Sequence, residues 1–152
     1  MALTLFSSCN SGRSEEEAEV LSAVKGYNIA LTQMHRDLFP KYMEPFATKK
    51  EIKKLDHLLD PLRYTQSRMI SRQDDFNVKS IEIDEQEATL TAKEKWTYWW
   101  ESLFTKEVTK EKTEVKYTVI YKLVKENNVW KVNELSSDTP EKEKGFEPKS
   151  PK

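Results

Sequence analysis

An α+β fold is predicted, with two to three N-terminal helices packed on a curved four-stranded antiparallel sheet. Three observations carry that reading. Before Asp74 and Asp75 the apolar residues recur at spacings of three and four, the period of one helix face. After them they recur at every second position, the period of a strand. The punctuation agrees: Pro40, Pro45 and Pro61 interrupt the first half, and polar turns at Asp84–Glu87 and Glu126–Asn128 interrupt the second.

The chain opens with a short apolar run (Leu3, Leu5, Phe6), then Ser7, Ser8 and Cys9, then a polar stretch leading to Glu15–Glu17. This order resembles the end of a bacterial lipoprotein signal. The resemblance implies that Cys9 is the lipidated first residue of an extracytoplasmic, membrane-anchored protein, with the polar stretch as a tether. The alternative is an N-terminus without order that carries a free thiol in a cytoplasmic protein. Residues 1–14 are accordingly expected to be a tether or a remnant signal, 15–135 a single domain, and 136–152 a disordered, Lys/Glu-rich tail.

A helix is predicted over Glu15–Phe39. Val20, Val24, Tyr27, Leu31, Met34 and Leu38 form its apolar stripe, flanked by Leu21 and Ile29. Ser14 before three glutamates is a start signal, since a hydroxyl caps and acids suit the positive end of the helix dipole. Pro40 ends it. Gly26, costly inside a helix, suggests a close helix–sheet contact. Thr48 and Glu51 then form a capping-box signature, followed by the stripe Ile52, Leu55, Leu58, Leu59 and Leu62, split near Pro61. Arg63–Arg72 reads as a third short helix, with Tyr64, Ser67, Met69 and Ile70 partly inward.

Phe76–Ile83 reads as a strand with a bulge near Lys79 and Ser80. Ala88 to about Phe104 reads as one long strand. Its first face carries Ala88, Leu90, Ala92, Glu94, Trp96, Tyr98 and Trp100, and its second carries Thr89, Thr91, Lys93, Lys95, Thr97 and Trp99. Thr105–Lys112 is charged and reads as a loop. Val115, Tyr117, Val119, Tyr121 and Leu123 line one face of a further strand. Asn127 and Asn128 suit a tight hairpin, and Val129–Leu135 closes the sheet.

Composition excludes several classes of function. Lys and Arg number 25 against 26 Asp and Glu, a net charge of -1, which does not fit a nucleic-acid binder. Three glycines leave no phosphate-cradling loop. One cysteine allows no internal disulfide. His35 and His57 stand apart, with no partner at ligand spacing, so neither a metal site nor a cofactor is expected.

Helices followed by a meander with one long aromatic strand resemble the nuclear transport factor two-like superfamily over Ala18–Leu135, with intermembrane-space (IMS) type domains nearest. The best local match is Tyr117–Val124, the asparagine turn, then Val129, Trp130, Lys131 and Val132. The resemblance implies a cone with a pocket, and a superfamily whose members include isomerases, dehydratases, transport factors and accessory domains.

Two groups of residues stand out for function. Glu94 shares a strand face with Ala92, Trp96 and Tyr98, and a carboxylate in such surroundings suits general acid–base work; a cross-strand pair with a lysine is the plainer alternative. His57, with Asp56 and Asp60 on the same helix, is a weaker acid–base candidate. Trp96, Tyr98, Trp99 and Trp100 cannot all enter one core, because neighbours on a strand face opposite ways, so they are candidates for a partner-binding surface. Trp99 packed beneath a loop is the competing arrangement. The chain therefore reads as a non-catalytic accessory module for a protein partner or a second copy of itself, meeting a membrane only through lipid on Cys9. A small isomerase- or dehydratase-like enzyme, or an apolar-ligand binder using Glu94, is the alternative.

Overall fold

A computed structural model describes residues 9–138, with side chains from Ser14 onward. Helix α1 (Cys9–Asp37) is followed by a 3-10 turn (Pro40–Met43), α2 (Lys49–Leu58) and α3 (Asp60–Tyr64). Four strands follow: β1 (Ser67–Asp84), β2 (Glu87–Ser102), β3 (Val108–Glu126) and β4 (Val129–Ser137). They form one antiparallel meander in the order β1-β2-β3-β4. Regular structure thus reaches beyond the expected 15–135 bounds at both ends. The remainder of the expected tether and tail, residues 1–8 and 139–152, lies outside the described residues.

The α1 stripe packs as its spacing requires. Val20, Val24, Tyr27 and Met34 are buried, joined by Ala30, while Leu31 and Leu38 are half-buried. Ile29 does not flank this face, since it is 61% exposed. Leu38 takes a left-handed backbone (φ 53°), and the Phe39 amide reaches back to the Met34 carbonyl at 3.3 Å, closing the helix end before Pro40. Gly26 does mark a close approach, but to Phe46 rather than to the sheet: an added Cβ would lie 2.2 Å from the Phe46 ring.

The segment carrying Phe46 is tied to the last strand. The Val132 amide donates to the Phe46 carbonyl (2.8 Å) and the Thr48 amide to the Val132 carbonyl (3.0 Å). Thr48 then caps α2 by accepting from the Glu51 amide at 3.3 Å. The Glu51 side chain has another partner: buried, it accepts from the Tyr27 hydroxyl at 2.9 Å. Leu55, Leu59 and Leu62 are buried, whereas Leu58 is exposed.

Two stretches differ from the sequence reading. The helix expected over 63–72 stops at Tyr64, which is exposed. Ser67–Arg72 instead form the start of β1, paired with Thr97–Ser102. The loop expected over 105–112 shrinks to 103–107, and Lys110 pairs with Trp100 inside β3. In both cases β2 supplies the hydrogen bonds. The β3 end at 108–112 is exposed on both faces, whereas Ser67–Ser71 are buried or half-buried on both, so neither stretch shows the apolar alternation of a half-buried strand. Two local expectations hold. The bulge falls between Val78 and Ser80, and Asn127 and Asn128 both take positive φ (49° and 64°), as a type I′ hairpin requires.

The core lies between α1 and the sheet face bearing Ala88, Leu90, Ala92, Val119, Tyr121, Leu123, Trp130 and Val132. The Tyr27 and Tyr121 rings meet edge to face at 6.1 Å, a geometry worth about 0.5–1.5 kcal/mol beyond burial.

Gly26→Ala is expected to destabilise the domain by about 1–3 kcal/mol through the clash with Phe46. In a Phe46→Ala background the same change should stabilise by up to about 1 kcal/mol, from helix propensity alone. Urea unfolding measures both, and an effect of the same sign in the two backgrounds would contradict the contact.

Candidate functional site

A cavity of about 240 Å³ lies between α1 and the concave sheet face. Helix α1 contributes Asn28, Leu31 and His35, which recur along one face of the helix. Strand β1 adds Met69 and Ser71, β2 adds Glu94, Trp96 and Tyr98, β3 adds Tyr117, Val119 and Tyr121, and β4 adds Leu135 and Ser137. Strict alternation places every β2 and β3 contributor on one side of the sheet.

Glu94 is the polar centre of the cavity and is 4% exposed. Its Oε2 accepts from the Trp96 indole N–H at 2.6 Å, and its Oε1 accepts from the Tyr121 hydroxyl. A phenol has one proton to give, and Tyr121 gives it to Glu94. The Asn28 amide N–H therefore donates to the Tyr121 oxygen, at 3.0 Å. Burial and the nearby Glu94 charge push the Tyr121 phenol well above its usual value, so it stays protonated and donating. Burial likewise raises Tyr117, whose hydroxyl lies 3.4 Å from that of Tyr98 at the cavity rim.

His35 shares the cavity, and its buried Nδ1 has no hydrogen-bond partner among the described residues. Burial lowers its pKa to about 4, so the ring is uncharged near neutral pH. A second buried carboxylate, Glu51, lies outside the cavity; it bonds Tyr27 and has the Lys54 ammonium 3.9 Å away.

The structure sorts the candidate residues. Glu94, Trp96 and Tyr98 meet in the cavity. Trp96 is buried, so it is not an outer surface residue. Trp100 packs edge to face on Tyr98 at 5.3 Å, with the Lys110 ammonium 4.5 Å from its ring centre. Trp99 faces the other way: its indole N–H donates to Glu101 at 3.1 Å, and the Lys112 ammonium stands 4.8 Å from its ring. The four aromatics therefore do not form one surface. Glu94 makes no cross-strand pair with a lysine. His57 lies on the exposed side of α2, 3.6 Å from Asp60, away from the cone, and Asp56 and Asp60 serve Arg63. The Cys9 side chain lies outside the described ones.

His35 and Asn28 escaped the sequence reading. Their spacing with Leu31 placed them beside the apolar stripe, but nothing local separated a cavity-lining polar residue from a solvated one. Among the described residues there is no acid, histidine and cysteine cluster able to hold a metal, and no helix is long and apolar enough to cross a membrane.

No protein-family model matches the chain, and no curated protein matches it. Solved structures do. The intermembrane space region of chloroplast protein ARC6 is 14% identical, with a TM-score of 0.69, over 80% of this chain and 94% of that one. A hexachlorocyclohexane dehydrochlorinase (LinA, type 2) is 8% identical, with a TM-score of 0.57, over 90% and 98%. An NTF2-like protein involved in plasmid conjugation is 9% identical, with a TM-score of 0.53, over 88% of this chain and 53% of that one. The chain shares the fold of these structures, one of which is an NTF2-like protein. The bearers of that fold differ widely in role, so the fold does not assign one to this chain.

The His35 environment has a consequence for stability. Its folded pKa of about 4 lies below the ordinary 6.5, so protons favour the unfolded chain as pH falls. The contribution is intact above the unfolded value and is lost progressively as pH drops through the folded one, by up to about 3 kcal/mol before allowance for partial solvent access. His35→Leu is expected to flatten that part of the profile. A gap between wild type and variant in urea unfolding that stays constant from about pH 7 to about pH 4 would contradict it.

Proposed function

We propose that this domain is a non-catalytic binding module whose cone cavity takes a small, largely apolar molecule. The state of Glu94 carries the reading. Each of its oxygens is engaged by a protein donor, Trp96 or Tyr121, which commits the carboxylate to the cavity wall while leaving each oxygen a lone pair for a ligand. His35, with a pKa of about 4, is a weak base. Leu31, Met69, Val119 and Leu135 give the cavity apolar walls, and a few polar groups converge on one side, the arrangement typical of ligand sites. The enzyme reading has one observation in its favour, which is that His35 and Glu94 line the same space. An isomerase- or dehydratase-like step would draw on the unpartnered Nδ1 of His35 or a remaining lone pair of Glu94.

The uncharged fluorophore N-phenyl-1-naphthylamine is expected to bind the intact chain with a rise in emission. Leu31→Trp, filling the cavity from the helix side, should abolish the rise while circular dichroism stays native. Equal emission from wild type and variant, or none from wild type, would sink the cavity reading.

An accessory role adds a protein partner or a second copy of the chain, met through the aromatic sheet surface and tethered by lipid on Cys9. Trp99 supports this reading: it lies half-exposed on the face away from the cavity, and Tyr64 and Phe104, 91% and 75% exposed, stand near the same end of the sheet. Trp99→Ala is expected to lower recovery of the partner in pull-downs from source cells, with fluorophore binding unchanged. Unaltered recovery would remove the surface from consideration.

A further inference from the structure

Glu94 is a buried carboxylate that makes no ion pair among the described residues. Its protein partners, Trp96 and Tyr121, are both neutral donors. Glu51, the other buried carboxylate, at least has Lys54 at 3.9 Å. Taking a charge out of water without an opposite charge is expensive, and proteins normally avoid it. The described cavity lining holds no lysine or arginine, and His35 is uncharged near neutral pH because of its burial. The described lining thus offers no positive group to balance a carboxylate at Glu94.

The surrounding walls point to what supplies that charge. Trp96, Tyr98, Tyr117 and Tyr121 line the same cavity, so four aromatic side chains gather around one carboxylate. Aromatic rings attract cations through their quadrupole, and such groupings are how proteins recognise alkylated ammonium groups. A compact ammonium or a metal ion is strongly hydrated and would lose that hydration in a mostly apolar space, whereas an alkylated ammonium is weakly hydrated and has an apolar surface to bury. An anionic ligand would meet Glu94 with nothing to offset the repulsion.

We infer that the cavity is a receptor for an organic cation, a quaternary or tertiary alkylammonium group seated among the aromatic side chains with Glu94 as counter-ion. The inference rests on the binding-module reading above and names the ligand class for that site.

Choline and its uncharged carbon isostere, 3,3-dimethylbutan-1-ol, separate the two claims. The intact chain is titrated with each, followed by calorimetry and by the indole N–H resonance of Trp96. Choline should bind about tenfold tighter than the alcohol. Glu94→Gln should remove that preference by weakening choline alone. Tyr117→Leu changes a half-buried wall residue outside the Glu94 network and should cost choline more than it costs the alcohol. It decides the matter if Glu94→Gln does not fold. Equal binding of the two ligands, or a choline preference that survives both substitutions, overturns the cation claim. If the alcohol or N-phenyl-1-naphthylamine binds and choline does not, the cation claim fails while the cavity reading stands. If none of the three binds, both fail.

Discussion

Strand β2 is hydrogen-bonded to β1 and β3 along nearly its whole length, and its pleat allows each side chain one of two directions only. That parity fixes much of the molecule. Ala88, Leu90, Ala92, Glu94, Trp96, Tyr98 and Trp100 must share a face, and a slip of one residue would send all of them to the other side. The face is graded along the strand. Ala88, Leu90 and Ala92 are buried in the core under α1, whereas the larger Trp96 and Tyr98 follow further along. Helix α1 runs along β3 over this gradient: Glu16 pairs with Lys125 near one end, Asn28 bonds Tyr121 in the middle, and His35 joins Tyr98 and Tyr117 around the cavity at the other. The cavity lies where the large side chains are.

Two buried polar connections hold the helix in register. Asn28 and Tyr121 join α1 to β3 and onward to Glu94, and Tyr27 and Glu51 join α1 to α2. The two sets are neighbours through the edge contact of the Tyr27 and Tyr121 rings. Buried polar groups are costly when unpaired, so these bonds discriminate strongly against sliding or rotating α1. The close approach of Gly26 to Phe46, on a segment bonded to β4, fixes the same helix from another side.

The same parity divides the functional possibilities. Aromatic residues at even positions of β2 turn to the cavity side, where Trp96 and Tyr98 line with Glu94 the space proposed for a small molecule. Trp99, at an odd position, turns to the outer face, where a protein partner could meet it. The two roles need not compete, because they occupy opposite faces of one sheet. A ligand that bonded to Glu94 and Tyr121 would also touch the link between α1 and the sheet, which ties occupancy of the cavity to the firmness of the helix.

Sequence alone determined the change of period near Asp74, hence helices first and strands after, because the spacing of apolar residues reports directly which face each element must bury. It also determined the hairpin at Asn127 and Asn128, since few residues accept positive φ at both positions, and the placing of Glu94 with Trp96 and Tyr98, since alternation is a local rule. Tertiary structure decided the rest. Residues 67–72 and 108–112 became strand because β2 offered them hydrogen bonds, which no alternation of apolar residues within those segments encodes. Glu51 read as half of a capping box until Tyr27, far away in the chain, came within reach of it. Asn28 and His35 joined the cavity, and His57 was left outside, because the rotation of each helix about its axis is set by all its contacts together. A site assembled from four strands and a helix exists only where they meet, and sequence order carries no record of that distance.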